Sequence, residues 1–464
     1  MAFHATLTQL QQILAATPEN LSEAALGTEA TGISTDTRTL KPGDLYLALR
    51  GENFDGHQFV AAAFAKGAIA AITEADSPKT GPQLQVADTL AAYQAIARWW
   101  RTQFAIPIIA VTGSVGKTTT KELIAAVLGH YGSVLKTQAN YNNEIGVPKT
   151  LLELGPEYDY GVIEMGMRGP GEIACLAQIA QPQIALITNV GTAHIGRLGS
   201  REAIAQAKCE LLAQMPKTSV AILNGDNPLL LATATRVWQG QTITYGLNQG
   251  DLRGQHNDQT LVVEGVQLPL PLPGAHNALN YLGALAVAKA LQLNWRILTA
   301  GLNLHLPSGR AQRYDLPGEI VILDETYNAG PESMAAALKL LMQTPAQRHI
   351  AILGAMKELG DHSQACHQQI GALAAQLNLD ALLVLGKDLD TAAIAQGWSQ
   401  TLSGDSESHA VLKQFATAAE LVTYLQTLVQ PGDCLLLKAS HSVGLDQVVS
   451  QLRQDLSNPE LNRV

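Results

Sequence analysis

IPIIAVTGSVGKTTTKELIAAVLGHYG, residues 106–132, reads as an apolar strand, a glycine turn, and an amphipathic helix opened by a lysine and three threonines. That layout builds an anion site. Gly113 and Gly116 carry no side chain to block close backbone approach, so peptide N–H groups and the helix N-terminus can face a polyphosphate. Lys117 adds a mobile positive charge, and Thr118 stands where a hydroxyl reaches a Mg²⁺ bridging phosphates. The common phosphate loop places four residues between its first glycine and Gly-Lys; Val111 occupies that first-glycine position here, so the string is a shorter variant. The loop Thr112, Gly113, Ser114, Val115, Gly116, Lys117, Thr118 and Thr119 is the expected phosphate contact, and an ordinary strand-to-helix turn is the alternative.

Outward from this loop, 464 residues are too many for one core and suit about three domains. Segment 1–104 contains short mixed elements and closes on a helix, 88–104, ending RWWRTQF. Between 105 and 310, apolar runs at 107–111, 160–165, 184–189 and 219–223 alternate with helical patterns, which predicts a parallel sheet covered on both faces. Segment 241–273 reads as antiparallel strands, followed by a helix at 276–292. From 311 to 464, strands near 319–323, 349–353, 381–385 and 433–437 form a second α/β unit. The expected fold class is therefore α/β in three domains: a small N-terminal α/β unit, a central parallel-sheet ATPase-like unit of phosphate-loop type and a Rossmann-like C-terminal unit.

A net charge of −10 without clustered Lys/Arg argues against nucleic-acid or anionic-membrane binding. The opening MAFHATLTQLQQILAAT has no basic region before an apolar block, and no segment supplies the roughly 18 apolar residues of a membrane span. A cytoplasmic monomer is expected. Cys175, Cys209, Cys366 and Cys434 show no paired spacing, which suggests free thiols.

Several residues at predicted strand and helix ends carry chemistry. Glu164 closes an apolar strand, where a carboxylate needs a cation or a solvated partner such as Arg168. Asn189 and His194 follow another strand at the same sheet edge. Lys208 falls on the apolar stripe of SREAIAQAKCELLAQM, four residues from both Ile204 and Leu212. Either it snorkels or pairs with Glu210, or desolvation lowers its pKa so that the neutral amine takes up CO₂ as a carbamate. Asn277 and Asn280 open a helix, where an amide can read a base or cap the helix. Arg310 stands at the second boundary within reach of a transferring phosphate, and Asp324 at a strand end suits a ribose.

Together these residues resemble the Mur ligase family, whose members are ATP-dependent amide ligases of peptidoglycan precursor synthesis. The resemblance covers nearly the whole chain. It implies that 112–118 is the family's phosphate loop, that Glu164 and His194 are magnesium ligands with Thr118, that Lys208 is the carbamylated lysine, and that Asn277, Asn280, Arg310 and Asp324 meet adenine, phosphate and ribose. The expected cofactors are ATP, two Mg²⁺ and the lysine carbamate; the expected catalytic set is Lys117, Lys208, His194, Glu164 and Arg310. Thr37, Arg38 and His57 are expected at the uridine diphosphate end of the acceptor, with Asn142 and Asn143 toward its muramoyl portion.

Within the family, TDTRTLKPGDLYLALRGENFDGH (35–57), NYNNEIGVPKTLL (140–152), EMGMRGPGEI (164–173), DETYNAGPESM (324–334) and LGAMKELGDHS (353–363) look like the member that adds D-alanyl-D-alanine to UDP-N-acetylmuramoyl-tripeptide. The tripeptide-forming relative usually carries Asp-Asn-Pro-Arg in its last domain. Here the string is Asp226-Asn227-Pro228-Leu229, in the middle segment. A sister ligase adding a single amino acid and a non-ligase phosphate-loop NTPase are the alternatives, and the second would need a guanine-reading Asn-Lys-x-Asp that the chain lacks. Two departures stand out: Asp36-Thr37-Arg38 for the family's Asp-Ser-Arg, and Lys438-Ala439-Ser440-His441 for Lys-Gly-Ser-Arg, which removes a permanent positive charge.

Overall fold

The strand Ile108–Thr112 is buried at every residue, as an uninterrupted apolar run must be when helices cover both faces of a sheet. In the computed structural model, which describes residues 3–51, 53–257, 259–402 and 410–457, it lies inside a nine-stranded sheet. The strands begin, in spatial order, at residues 134, 160, 108, 184, 220, 241, 252, 260 and 266. The first seven are parallel; the strand at 260 then pairs antiparallel with both of its neighbours.

Chain order reverses at Ile108–Thr112: the following strands fill in on one side, at 134 and 160, before the chain passes to 184 on the other. Such a reversal opens a crevice beyond the carboxyl ends of the strands. Register decides what meets there. Val111 lies opposite Glu164 and Thr112 opposite Ile187, so the glycine turn, Glu164 and the pair Thr188-Asn189 emerge side by side.

Within segment 241–273 the strands at 252, 260 and 266 pair antiparallel in succession as expected, but the first strand does not. Gln241–Gly246 joins the sheet parallel to Val220–Asn224, with helix Pro228–Val237 as the crossover between them. The Asp-Asn-Pro string makes this crossover. Pro228 opens the helix, Asn227 caps it by accepting from Leu230 N at 3.0 Å, and the Asp226 carboxylate accepts from the backbone of Leu247, Asn248 and Gln249. The short edge strand Val134–Lys136 and the C-terminal strands Gln312–Leu316 and Val411–Phe415 were not anticipated.

Neither flanking sheet crosses residues 104–105 or 310–311. A five-stranded sheet spans 17–86, and a six-stranded one has strands beginning, in order, at 312, 320, 433, 348, 381 and 411. In the latter only Gln312–Leu316 is antiparallel to its neighbour. No helix among the described residues is long and apolar enough to cross a membrane.

The helix Thr89–Arg101 fastens the first unit to the second. Asp88 caps it, accepting from Ala91 N at 2.9 Å. At its other end Trp100 is buried against Phe3 and Phe104, and its indole donates to Leu154 O at 3.0 Å. Arg101, also buried, spreads its guanidinium over the carbonyls of Ala180, Phe104 and Ile106 and the Gln183 amide oxygen. Trp100→Ala removes both the apolar ring and the hydrogen bond, with an expected cost of about 3–5 kcal/mol. Calorimetry should show a lowered Tm, and an unchanged Tm would mean that this junction does not stabilise the chain.

Candidate functional site

The glycine turn is held by the neighbouring strand end. Ser114 N donates to Asn189 O at 3.0 Å, Val115 N donates to Asn189 Oδ1 at 3.0 Å, and Val115 O accepts from Asn189 Nδ2 at 3.0 Å and Thr188 Oγ1 at 2.6 Å. Ser114 Oγ accepts from Gly191 N at 2.9 Å. With these groups spoken for, the turn keeps its shape before any ligand arrives. The two glycines are required for contact reasons: a Cβ on Gly113 would stand 1.8 Å from Thr188 Oγ1, and one on Gly116, which has φ +82°, would stand 2.6 Å from Asn280 Oδ1.

Gly116 caps the helix Lys117–Leu128 without a side chain, leaving the first-turn N–H groups for a ligand. Lys117 folds back over the turn, donating to Gly113 O at 2.8 Å and Ser114 O at 3.3 Å. Burial depresses its pKa, the Glu164 carboxylate opposes that, and the Arg310 guanidinium adds to it.

Glu164 is 2% exposed. Its Oε1 accepts from Asn142 Nδ2 at 2.8 Å, whereas Oε2 is buried without a hydrogen-bond partner and 4.0 Å from Lys121 Nζ. Arg168 is exposed and forms no ion pair with it; its backbone N–H goes to Glu172. A buried carboxylate oxygen with no donor is a place for a cation. Behind it Lys121, fully buried, donates to Thr137 O at 2.6 Å and pairs with Glu122, which also meets Lys136. The described residues gather no group of three His, Cys, Asp or Glu side chains around one point. A magnesium here would fit the donors present only if phosphate oxygens completed its shell, as is usual for this ion.

Lys208 is 1% exposed and forms no hydrogen bond or ion pair among the described residues, Glu210 included. Glu210 instead accepts from the backbone of Gly171 and Ala174. Burial drives the Lys208 pKa well below its usual value, and the nearby Lys117 charge pushes it the same way. His194, in a left-handed backbone conformation (φ +67°), sets its Nδ1 2.6 Å from Glu358 Oε2 across the boundary with the C-terminal unit. That contact holds the Glu358 carboxyl below its ordinary range.

A cleft of about 1260 Å³ collects most of the expected residues: Ser114 to Thr119, Asn142, Asn143, Glu164, His194, Asn277, Asn280 and Arg310 all line it. Thr112 and Gly113 do not line it. Asn277 does not cap its helix, whose N-cap is Gly274; its Nδ2 donates to Pro273 O at 2.8 Å. Arg310 lies over the Tyr327 ring at 3.7 Å, and its buried Nε has no partner.

Lys208 is not among the residues that line the cleft, and two further expectations differ. Asp324 does not line the cleft: its Oδ1 accepts from Thr326 N at 3.1 Å and Thr326 Oγ1 at 2.6 Å, and burial raises its pKa. His57 is buried with both ring nitrogens used internally, Nδ1 at 2.6 Å from Asp55 and Nε2 accepting from Glu74 N at 3.0 Å. Thr37 and Arg38 stand apart from the cleft in the N-terminal unit, where Arg38 pairs with Asp36 at 2.7 Å and holds its pKa at about 2.

Sequence reasoning did not assign Lys438, Tyr327 or Glu358 to the site. Lys438 is buried on the cleft wall, donating to Asn328 O at 2.9 Å, with Glu325 Oε2 at 3.5 Å; burial lowers its pKa. His441 stacks on Tyr327 with ring centroids 5.9 Å apart, so one ring carries Arg310 and His441 together. The motif comparison marked 438–441 only by its departure, and the partners lie more than a hundred residues away.

Known proteins match along the chain. Residues 111–288 match the Mur ligase middle domain, 309–441 the Mur ligase glutamate ligase domain and 29–98 the Mur ligase family catalytic domain. A UDP-N-acetylmuramoyl-tripeptide–D-alanyl-D-alanine ligase of Synechocystis is 57% identical over 438 residues, 93% of each chain. The crystal structure of MurF from Acinetobacter baumannii superposes with a TM-score of 0.87 at 32% identity, covering 98% of this chain and 99% of that one. MurF of Thermotoga maritima, solved with ADP, gives 0.80 at 28% identity, covering 91% and 97%.

Gly113→Ala should abolish nucleotide binding while circular dichroism stays native, because the added methyl meets the Thr188 hydroxyl and displaces the turn. Undiminished binding of a fluorescent ATP analogue would remove the turn from the site.

Proposed function

The chain belongs to the Mur ligase family, and on that premise we propose that it joins D-alanyl-D-alanine to UDP-N-acetylmuramoyl-tripeptide at the expense of ATP, a step of peptidoglycan precursor synthesis. What carries the proposal is one arrangement: an anion-binding turn beside a buried, unpartnered carboxylate oxygen on the next strand, both facing a cleft that two domains share. We take 1–104 as the unit for the UDP end of the acceptor, with Thr37 and Arg38 as its contacts, 105–310 as the ATP-binding unit and 311–464 as the unit that brings the dipeptide. The protein acts as a cytoplasmic monomer.

A carboxylate does not condense with an amine at useful rates because its oxygen leaves poorly. Transfer of the γ-phosphoryl group to the tripeptide's terminal carboxylate gives an acyl phosphate and ADP. The dipeptide amine then attacks the carbonyl carbon, the C–O bond to phosphate breaks, and orthophosphate departs while the amine loses its proton. The protein contributes position and charge.

Lys117 leaves the carbonyls of Gly113 and Ser114 for the β- and γ-phosphates, with the first-turn N–H groups beside it. Arg310, kept flat by Tyr327, meets charge developing on the transferred group, and Asn277 and Asn280 face the base. Thr118 and Glu164 would hold one magnesium, His194 and a carbamate on Lys208 a second. Bound magnesium supplies neutralisation that lets phosphate and carboxylate approach each other. The carbamate would form when the neutral Lys208 amine adds to CO₂ and releases a proton, which turns a buried, unpaired amine into an anion beside Lys117.

Orthophosphate release measured with ATP, UDP-muramoyl-tripeptide and a panel of amines should require D-alanyl-D-alanine. Equal release with a single amino acid would assign the chain to a sister ligase, and release without any amine to a plain NTPase. Lys208→Ala should lose ligation by about 100-fold or more, the size of effect expected for a group that organises transition-state charge, and added short-chain carboxylates should restore part of it. Near-normal turnover in that variant would refute the carbamate.

A further inference from the structure

The loop that carries His194 is gripped from the C-terminal unit by two carboxylates. Glu332, in the first turn of helix Pro331–Gln343, accepts from Thr192 N at 2.7 Å and Thr192 Oγ1 at 3.0 Å. Glu358 reaches His194 Nδ1 at 2.6 Å, and its backbone oxygen accepts from Gly196 N at 3.2 Å. The backbones come very close at this seam: a Cβ on Gly196 would stand 2.4 Å from Gly360 N, and one on Gly360 2.7 Å from Gly196 Cα. Glu358 itself holds a left-handed conformation, φ +65°, as does His194. For non-glycine residues such backbone persists only where the surroundings impose it.

The consequence lies in the imidazole. The Glu358 carboxylate, 2.6 Å away though off the line of a hydrogen bond, favours the proton at Nδ1 and leaves Nε2 with its lone pair as the nitrogen available to a ligand. Taking His194 as a cation ligand, as proposed above, we infer that Glu358 is a positioning residue for it, so that the C-terminal unit completes the second cation site from across the domain boundary. Docking of that unit and assembly of the site are then one event. The Glu332 grip on Thr192 holds the same loop without touching the imidazole, which separates orientation of the ring from closure of the seam.

Mn²⁺ serves as the probe, its binding to the full chain followed by electron paramagnetic resonance of the free ion with a non-hydrolysable ATP analogue present. Glu358→Ala should weaken the second Mn²⁺ site by about 10- to 100-fold, the usual effect of removing a carboxylate that orients a ligating histidine. Glu358→Gln, whose amide oxygen still accepts from Nδ1–H, should recover most of that loss. Glu332→Ala should leave the site within a few-fold of the parent. Thermal unfolding of each variant establishes that the fold is intact. If Glu358→Ala binds Mn²⁺ like the parent while His194→Ala does not, Glu358 has no positioning role. If Glu332→Ala and Glu358→Ala weaken it equally, the effect belongs to the seam and the inference fails. If His194→Ala itself leaves both sites unchanged, the cation assignment falls, and Glu358 falls with it.

Discussion

Two buried lysines, Lys117 and Lys208, lie near enough that the charge of the first helps depress the pKa of the second, and neither forms an ion pair among the described residues. An ammonium out of water and without a counter-anion is costly. The Gly113 and Ser114 carbonyls satisfy Lys117 only in part, and nothing comparable meets Lys208. Arg310 adds a third cation with an unsatisfied Nε. Lys117, Lys208 and Arg310 therefore form a basic cluster, opposed at Lys117 by the Glu164 carboxylate. On the proposed function, polyphosphate would meet Lys117 and Arg310, and a carbamate would form on Lys208. The binding free energy of the anions is thereby concentrated where phosphoryl transfer takes place.

Such a centre needs a frame that does not relax around it. The frame is the parallel sheet, with the turn fixed by Asn189 and Thr188 on one side and Glu164 held by Asn142 and by Thr137, whose Oγ1 accepts from Glu164 N at 3.0 Å, on the other. The N-terminal unit is tied to this frame by a fully hydrogen-bonded arginine and a buried indole. The C-terminal unit meets the 191–197 loop through carboxylates and glycine contacts. That polar seam suits a surface that parts and re-forms, whereas the apolar junction at Trp100 suits one that stays shut.

Local chemistry written in consecutive residues was legible in the sequence. The strand-turn-helix at 106–132, Glu164 at a strand end and Lys208 on an apolar stripe all follow from periodicity and the cost of burying charge. Pairing across the chain was not legible. Gln241–Gly246 has the alternation of an exposed-face strand, and only the crossover helix before it makes it parallel. Val134–Lys136 is too short to declare itself. His57 and Asp324 read as ligand contacts because their residue types suit the chemistry, yet His57 spends both ring nitrogens on Asp55 and Glu74 N, and one oxygen of Asp324 is held by Thr326. Glu358 and Tyr327 act through residues far away in the chain, and neither local pattern nor residue type signals such a role.

The methyl of Ala439 finds its room against a bare position on the neighbouring strand. A Cβ on Gly354 would lie 2.9 Å from the Ala439 methyl and 2.8 Å from Val443 Cγ1, so the bare position on one strand makes space for the methyl on the next. A side chain at 354 would have to displace both Val443 and Ala439, so the bare glycine is what lets these two pack against the strand end.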